Sequence, residues 1–212
     1  MKPLWLLLAG SVLLNFYLLG NRKSEGQLVT KVLDGDTFVT EDKNVVRFDS
    51  LDAPELAFCG GEQAKKELEK LVLGKRVKID AQVRDVNGRT VATVYKGNSW
   101  VDEELLKTAW VTYGSTTIPN HEKLKAIDDQ NQIDKKGVYG EQCYQYQNTD
   151  NPKCNIKGNI VGEWVNKGEK IYHLPNCAQY KTVIVEKYRG EEWFCTEKDA
   201  RAAGYRKSTR CF

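Results

Sequence analysis

Residues 34–55 read DGDTFVTEDKNVVRFDSLDAPE, and this stretch decides the fold of the chain. Asp-Gly at 34–35 is a turn signal ahead of a β-rich run, and Asp-Lys-Asn at 42–44 is a second turn ahead of another. The pattern predicts a β-hairpin that carries Asp36 at the beginning of one strand and Arg47 on its partner.

The same stretch concentrates side chains with two kinds of chemistry. Asp36, Asp52 and Glu55 supply carboxylate oxygens, which a hard cation such as Ca²⁺ prefers as ligands. Arg47 supplies a planar guanidinium that matches phosphate oxygens bidentately. Each residue taken singly is an ordinary turn or strand residue, so the functional interpretation depends on their combination.

A second segment supplies another arginine. Residues 84–89 read RDVNGR, with an Asn-Gly turn ahead of an alternating run that reaches Tyr95. Together with the motifs at 34–37, Arg47 and 52–55, this segment resembles the staphylococcal nuclease (thermonuclease) family.

The resemblance runs from about Val29 to Tyr144 and implies the fold. Short strands, with helices over Gly61–Leu73, Val101–Lys107 and His121–Lys136, fit an α+β fold built on a five-stranded OB-fold barrel with three helices. Asp102 is expected to open the second helix. A small Cys-rich α+β domain is expected to follow the barrel, and a hydrophobic helix to precede it.

The resemblance also implies a cofactor and its ligands. Asp36, Asp52 and the backbone carbonyl of residue 53 are the implied Ca²⁺ ligands, although the family commonly has threonine where this chain has Ala53. Glu55 is the implied group that positions or deprotonates the attacking water.

Two arginines complete the implied catalytic set. Arg47 and Arg89 would clamp the phosphate and stabilise the charge of a five-coordinate transition state. The implied reaction is Ca²⁺-dependent hydrolysis of DNA or RNA phosphodiester bonds with 3′-phosphate products.

Substrate contacts depart from the family pattern. Asp85 and Tyr113 are assigned to substrate binding. Val86-Asn87 replaces the family's Lys-Tyr pair, which removes one phosphate contact and one stacking or hydroxyl contact. Ser115 stands near the position of a second tyrosine that often accompanies the one at 113. These changes are expected to alter affinity and base preference and to leave catalysis intact.

The N-terminal segment is strongly apolar. Pro3–Gly20 is interrupted only by Ser11 and Asn15, which gives a run at the lower edge of the length of a membrane-spanning helix. No small-x-small cleavage site follows it. We therefore expect residues 1–23 to be an uncleaved signal anchor, with a cleaved signal peptide as the alternative, and the protein to be exported to the periplasmic or extracellular side.

Positively and negatively charged residues are distributed unevenly along the chain. Residues 21–150 hold 19 Lys and Arg against 22 Asp and Glu, whereas residues 151–212 hold 12 against 7. A basic tail beside an acidic domain indicates a polyanionic partner. The predicted organisation is a nuclease-like domain over 24–147 and a small domain over 148–212, with Gln145–Lys153 as the linker.

The tail from Cys154 to Phe212 resembles the small metal-binding domain of the bacterial alkylation-repair protein Ada, a Cys₄ zinc module that contacts DNA. IYHLPNC at 171–177 and WFCTEKDARAAGYR at 193–206 carry this resemblance. His173 and Ser208 stand at two of the four ligand positions. Within the second motif, a short helix is expected to begin at an N-cap threonine and end at a glycine.

Six cysteines in an exported chain indicate disulfides. Cys59 and Cys143 lie in the nuclease-like region and are expected to pair. In the tail, the resemblance places Cys177 and Cys211 on one metal and hence close enough to oxidise, which leaves Cys154 and Cys195 as the remaining pair. The rival to these two tail disulfides is a zinc site. Separately, the tail is expected to present a basic surface. The rival zinc ligands are His173, Cys177, Cys195 and Cys211, and the basic residues are Arg201, Arg206, Lys207 and Arg210.

Three classes of function compete. The first is an exported or membrane-anchored nuclease, monomeric, acting on nucleic acid. The second is a catalytically weak nucleic-acid-binding module at the cell surface. The third is a DNA-anchoring surface protein whose tail does the main work. Arg47, Glu55 and Arg89 favour the nuclease, while preference for DNA or RNA and for ends or internal bonds stays open.

Overall fold

The computed structural model describes residues 26–114, 121–162 and 168–211. The predicted membrane anchor or signal peptide over residues 1–23 lies outside the described residues, as does Ser115. Among the helices that are described, none is long and apolar enough to cross a membrane.

Five strands close into a barrel. They follow one another across the sheet in the order β3-β2-β1-β5-β6, and β3 also pairs with β6 in parallel, which closes the ring. Closure removes the free edges that an open sheet would expose. The predicted five-stranded OB-like barrel is confirmed. The strands of this region are β1 (Gln27–Val32), β2 (Thr37–Thr40), β3 (Val45–Phe48), β4 (Leu51–Asp52), β5 (Arg76–Arg84), β6 (Thr90–Lys96), β7 (Ser99–Trp100) and β8 (Thr112–Tyr113).

Helices pack on the barrel close to their predicted positions. They are α1 (Gly61–Val72), α2 (Val101–Leu106) and α3 (His121–Ile133). On α1, Ala64, Leu68 and Val72 recur every four residues and are fully buried, so one face of this helix joins the barrel core. The third helix ends three residues earlier than predicted, and a 3-10 turn over Gly137–Tyr139 follows it.

Asp102 does not act as the predicted opening residue of α2. Trp100 occupies the N-cap, and the Asp102 side chain is fully buried. Its carboxylate accepts hydrogen bonds from Ser50 Oγ at 2.6 Å and from the Val94 amide at 3.2 Å. This aspartate therefore ties the helix to the barrel and to the turn before β4.

The tail forms its own small sheet. After β9 (Tyr144–Gln145), which ends the nuclease-like region, the strands of the tail are β10 (Ile156–Val161), β11 (Glu169–His173), β12 (Val185–Glu186), β13 (Trp193–Phe194) and β14 (Arg206–Lys207), with a 3-10 turn over Lys187–Arg189 and helix α4 over Glu197–Ala202. Four of these strands pair in the order β13-β10-β11-β14. Thr196 caps α4 by accepting from the Asp199 amide, as predicted.

The predicted linker begins inside a strand. Tyr144 and Gln145 pair with Glu186 and Val185 of β12. Gln145 is buried, and its side-chain oxygen accepts a hydrogen bond from Trp193 Nε1 at 2.8 Å. The polar composition of this stretch therefore reflects a strand that joins the two regions of the chain.

Three disulfides fix the tail and its junction. Cys59 pairs with Cys143, and the tail contains Cys154–Cys195 and Cys177–Cys211. This pairing agrees with the prediction. Both tail disulfides use thiols that the rival zinc site requires. The resemblance of the tail to the Ada domain stays a prediction.

The buried carboxylate of Asp102 makes stability depend on pH. Burial raises its pKa to about 6, above the value of about 3.9 in an unfolded chain. Between those values the folded state binds a proton that the unfolded state has released, so this residue lowers stability as pH rises through the window. At pH 7 the penalty is on the order of 2–3 kcal/mol.

We expect Asp102→Asn to remove this pH dependence, because the amide can accept from Val94 and donate to Ser50 without ionising. The unfolding free energy of the variant relative to the wild type should rise between pH 4 and pH 7 by on the order of 2–3 kcal/mol in urea titrations. Asp129→Asn makes the same chemical change at an exposed position on α3 and serves as the control. A difference that stays constant with pH would contradict the assignment.

Candidate active site

Backbone pairing brings the predicted site residues together. Arg47 on β3 lies opposite Thr37 of β2, directly after Asp36. Asp52 lies on the short strand β4, which pairs with β8 so that Asp52 lies opposite Thr112. Two turns and two strand pairs therefore converge on one point at the end of the barrel.

The Arg47 guanidinium joins two carboxylates. Its Nη1 donates to Asp36 Oδ1 at 2.7 Å and its Nη2 donates to Asp52 Oδ1 at 2.6 Å. The side chain of Asp36 is 3% exposed, whereas that of Asp52 is 54% exposed. One carboxylate is thus fixed inside the protein while the other remains open to a ligand.

Asp36 is held on both of its oxygens. Oδ1 also accepts from Thr37 Oγ1 at 2.8 Å, and Oδ2 accepts from the Ala53 amide at 2.9 Å. Burial raises the pKa of Asp36 to about 6, against the opposing effect of Arg47 and with a further increase from Asp34. The Ala53 contact places the backbone of the Asp-Ala-Pro-Glu turn directly beside this carboxylate.

The donor set of this point fits a hard cation. Asp36, Asp52 and the carbonyl of Ala53 offer only oxygen atoms, the ligand type of Ca²⁺. In the part of the chain that the structure describes, no group of three or more His, Cys, Asp or Glu side chains is placed to hold a metal. A cation here would complete its six to eight ligands with water or substrate oxygens.

Glu55 and Tyr113 line the same cleft, whose volume is about 810 Å³. Glu55 is exposed. The Tyr113 hydroxyl lies 3.0 Å from His121 Nδ1, and the two rings stack. Gly114 lies close to Asp52, because a Cβ there would lie 2.9 Å from Asp52 Oδ2, and that carboxylate would have to shift.

Arg89 and Asp85 pair with each other at the turn before β6. Arg89 Nε donates to Asp85 Oδ2 at 2.7 Å, and Asp85 Oδ1 accepts from the amides of Asn87 and Arg89, both at 2.9 Å. Neither residue lines the cleft around Arg47. Asp85 thus organises the turn that presents Arg89, and its assignment to substrate binding stays a prediction.

The cleft contains residues that the sequence did not indicate. Asp128 on α3 is half-buried and accepts from the Tyr139 hydroxyl with both oxygens at 3.0 Å. Tyr188 and Arg189 reach the cleft from the tail. Asp34 also lines it and was already part of the Asp-Gly-Asp-Thr motif. Asp128, Tyr188 and Arg189 carry no local signal, since only tertiary packing brings them there.

Part of the chain is similar in sequence to known proteins of the nuclease family. Residues 45–141 match the family model described as Staphylococcal nuclease homologue. Similar relatives include the probable staphylococcal-like nuclease CAN1 of Oryza sativa subsp. japonica, 32% identical over 94 residues, and an uncharacterized endonuclease of Haemophilus influenzae, 34% identical over 112 residues. Protein ParB of Escherichia coli is 39% identical over 80 residues.

These matches cover parts of each protein. They extend over 44%, 49% and 36% of this chain, and over 28%, 63% and 42% of the rice, Haemophilus and Escherichia relatives. The chain therefore spans less than two thirds of each of these relatives.

Loss of the Asp128–Tyr139 hydrogen bond is expected to lower the free energy of unfolding. Burial raises the pKa of Asp128, and the Tyr139 hydroxyl opposes that rise. Tyr139→Phe removes a hydrogen bond to a charged group and should lower the free energy of unfolding by about 1–3 kcal/mol. It should also raise the pKa of Asp128 further, as measured by NMR titration. Tyr146→Phe at an exposed ring is the matched control, and equal stability of the two variants would refute the contact.

Proposed function

We propose that the chain, whose residues 45–141 match the staphylococcal nuclease family model, is a Ca²⁺-dependent nuclease of that family. Its substrates would be phosphodiester bonds of DNA or RNA, cleaved to leave 3′-phosphate products. The observation that carries the proposal is the Arg47 guanidinium held between Asp36 and Asp52 in an open cleft.

Asp36, Asp52 and the Ala53 carbonyl would hold the cation. When bound, Ca²⁺ would neutralise part of the phosphate charge and make phosphorus more susceptible to attack. Asp36 would be a preorganised ligand, because Thr37 and the Ala53 amide fix both of its oxygens. Asp52, which is more exposed, would adjust to the cation and its waters.

Glu55 would accept the proton of the attacking water. Its carboxylate lines the cleft and is exposed to solvent, as a base that must receive a proton from water requires. The oxygen of this water would form a bond to phosphorus while the bond to the 5′ oxygen breaks. A proton returned from solvent would then neutralise the leaving alkoxide.

Arg47 would stabilise the additional negative charge on the phosphate oxygens. Preorganised donors act strongly here because they need no reorganisation during the reaction. Arg89 would be the second such donor. One of its N–H groups is engaged by Asp85, which leaves further donors of the guanidinium fork for phosphate.

Export is part of the proposal. Three disulfides favour an oxidising compartment, so we place the protein on the periplasmic or extracellular side. Residues 1–23 would serve as its membrane anchor or signal peptide, and the nuclease would act as a monomer.

The position of Arg89 favours a second candidate, a nucleic-acid-binding module with weak or no hydrolysis. Arg89 is paired with Asp85 and lies outside the lining of the cleft. Val86, fully exposed at the same turn, also replaces a residue that would bind phosphate in the family. Such a module would bind DNA and release no nucleotides.

Removal of calcium separates the two candidates. The purified protein should release acid-soluble nucleotides from DNA or RNA in the presence of Ca²⁺. A chelator should stop the release, and excess Ca²⁺ should restore it. Binding that persists with no release under any of these conditions would favour the second candidate.

Substitutions at the site should reduce turnover without unfolding the protein. Arg47→Lys keeps the charge but loses the fork, and Arg89→Lys does the same, so kcat should fall about a hundredfold or more in each. Glu55→Gln should have a similar effect on kcat while Ca²⁺ binding by calorimetry persists. Glu104→Gln, at an exposed position on α2, is the control. Near-normal turnover of Arg89→Lys would remove Arg89 from the site.

A further inference from the structure

The tail forms one wall of the candidate active-site cleft. Tyr188 and Arg189, from the 3-10 turn Lys187–Arg189, line the same cleft as Arg47 and Asp52. The segment that builds this wall lies beyond residue 141, where the family match ends. The wall is therefore an addition to the matched region.

Backbone hydrogen bonds fix the wall to the Cys59–Cys143 disulfide. The Lys187 amide donates to the Cys143 carbonyl at 2.8 Å, and the Cys59 amide donates to the Lys187 carbonyl at 3.4 Å. The adjacent strand β12 pairs with β9, which directly follows Cys143. Lys187 is therefore hydrogen-bonded to the backbone of both cysteines of this disulfide.

Ring packing holds the wall from the other side. Gly190 adopts a positive φ of 80°, and a Cβ there would lie 2.5 Å from the Phe58 ring. Only glycine allows this approach. The rings of Tyr188 and Tyr139 meet edge to face, with centroids 6.0 Å apart. The wall is thus in close contact with the loop that follows the Asp-Ala-Pro-Glu turn.

Glu186 orients the two side chains of the wall. It accepts from the Tyr188 hydroxyl at 3.2 Å and from Arg189 Nη1 at 3.0 Å. The Arg189 side chain is 32% exposed, and a guanidinium offers five N–H donors. Glu186 is therefore one of the groups that position the Arg189 guanidinium, which lines the cleft.

The charge of the cleft explains why Arg189 matters for the binding of a polyanion. More carboxylates than arginines line the cleft. Five carboxylates line it, whereas Arg47 already contacts two of them. A polyanion that enters needs further cationic contacts. The carboxylates are Asp34, Asp36, Asp52, Glu55 and Asp128.

We propose that Arg189 is a substrate-binding residue that contacts a phosphate adjacent to the scissile one, so that the tail extends the site along a single strand of nucleic acid. The inference rests on the proposed function for the identity of the substrate. Arg189 contributes through binding of a chain of several nucleotides and takes no part in the chemical step.

Substrate length tests the proposal. The full-length protein is assayed on a single-stranded oligonucleotide of about ten nucleotides, within the range that a single-strand site covers, and on a nucleoside nitrophenyl phosphodiester with one phosphate. Arg189→Gln should raise KM for the oligonucleotide about tenfold, the loss expected for one charge-assisted contact, and leave kcat unchanged. It should leave both constants unchanged on the small diester.

Binding gives a readout that does not depend on hydrolysis. In chelator, Arg189→Gln should weaken binding of a fluorescent oligonucleotide about tenfold and reduce the salt slope of log K by about 0.7, one phosphate contact on a single strand. Arg189→Lys should restore most of the affinity and salt slope, because it keeps the charge. Arg210→Gln, at an exposed arginine of the tail that does not line the cleft, should have no effect.

Distinct outcomes overturn the two proposals. Equal binding by wild type and Arg189→Gln, or an equal loss of activity on both substrates, would overturn the role of Arg189. A loss of binding in Arg210→Gln alone would assign nucleic acid to the outer surface of the tail instead. If the wild type binds through Arg189 and hydrolyses neither substrate, the proposed nuclease function fails while the binding residue stands.

Discussion

The double contact of Arg47 with Asp36 and Asp52 is the interaction on which the site depends. Strand β3 is held on both sides, by β2 and by β6. A slip of one residue would turn the arginine to the opposite face. The edge-to-face contact of Phe38 and Phe48 in the core opposes that slip. Barrel closure and core packing therefore determine where the guanidinium lies.

The Cys59–Cys143 disulfide extends this order to the tail. It spans 84 residues, and closing a loop of that size is worth roughly 4 kcal/mol in the chain-entropy model. Lys187 bonds to the backbone at both of its cysteines. The covalent link thus stabilises the nuclease-like region and also holds the two backbone segments to which the tail bonds, which makes the tail part of the cleft.

Local patterns predicted the hairpin and the convergence of Asp36 with Arg47, because turn residues and side-chain alternation determine these features. The barrel and its helices were predicted from the family resemblance. The same patterns misassigned Asp102 and Gln145. Both are polar residues at positions where a cap or a linker is common, yet both are buried by partners distant in sequence. The arrival of Arg189 at the cleft depends on contacts across more than a hundred residues, and periodicity carries no information about such contacts.

The excess positive charge of the tail is consistent with two ways of attracting a polyanion. One is a diffuse field from its outer basic residues, such as the exposed Arg201 and Arg206. Exposed charges are also screened beyond about 8 Å at physiological salt. The other is a guanidinium fixed inside a cleft, where donors already face the ligand and solvent screens them less. Arg189 lines such a cleft beside Glu186, so the proposed role of the tail depends on the position of one charge and not on the number of charges.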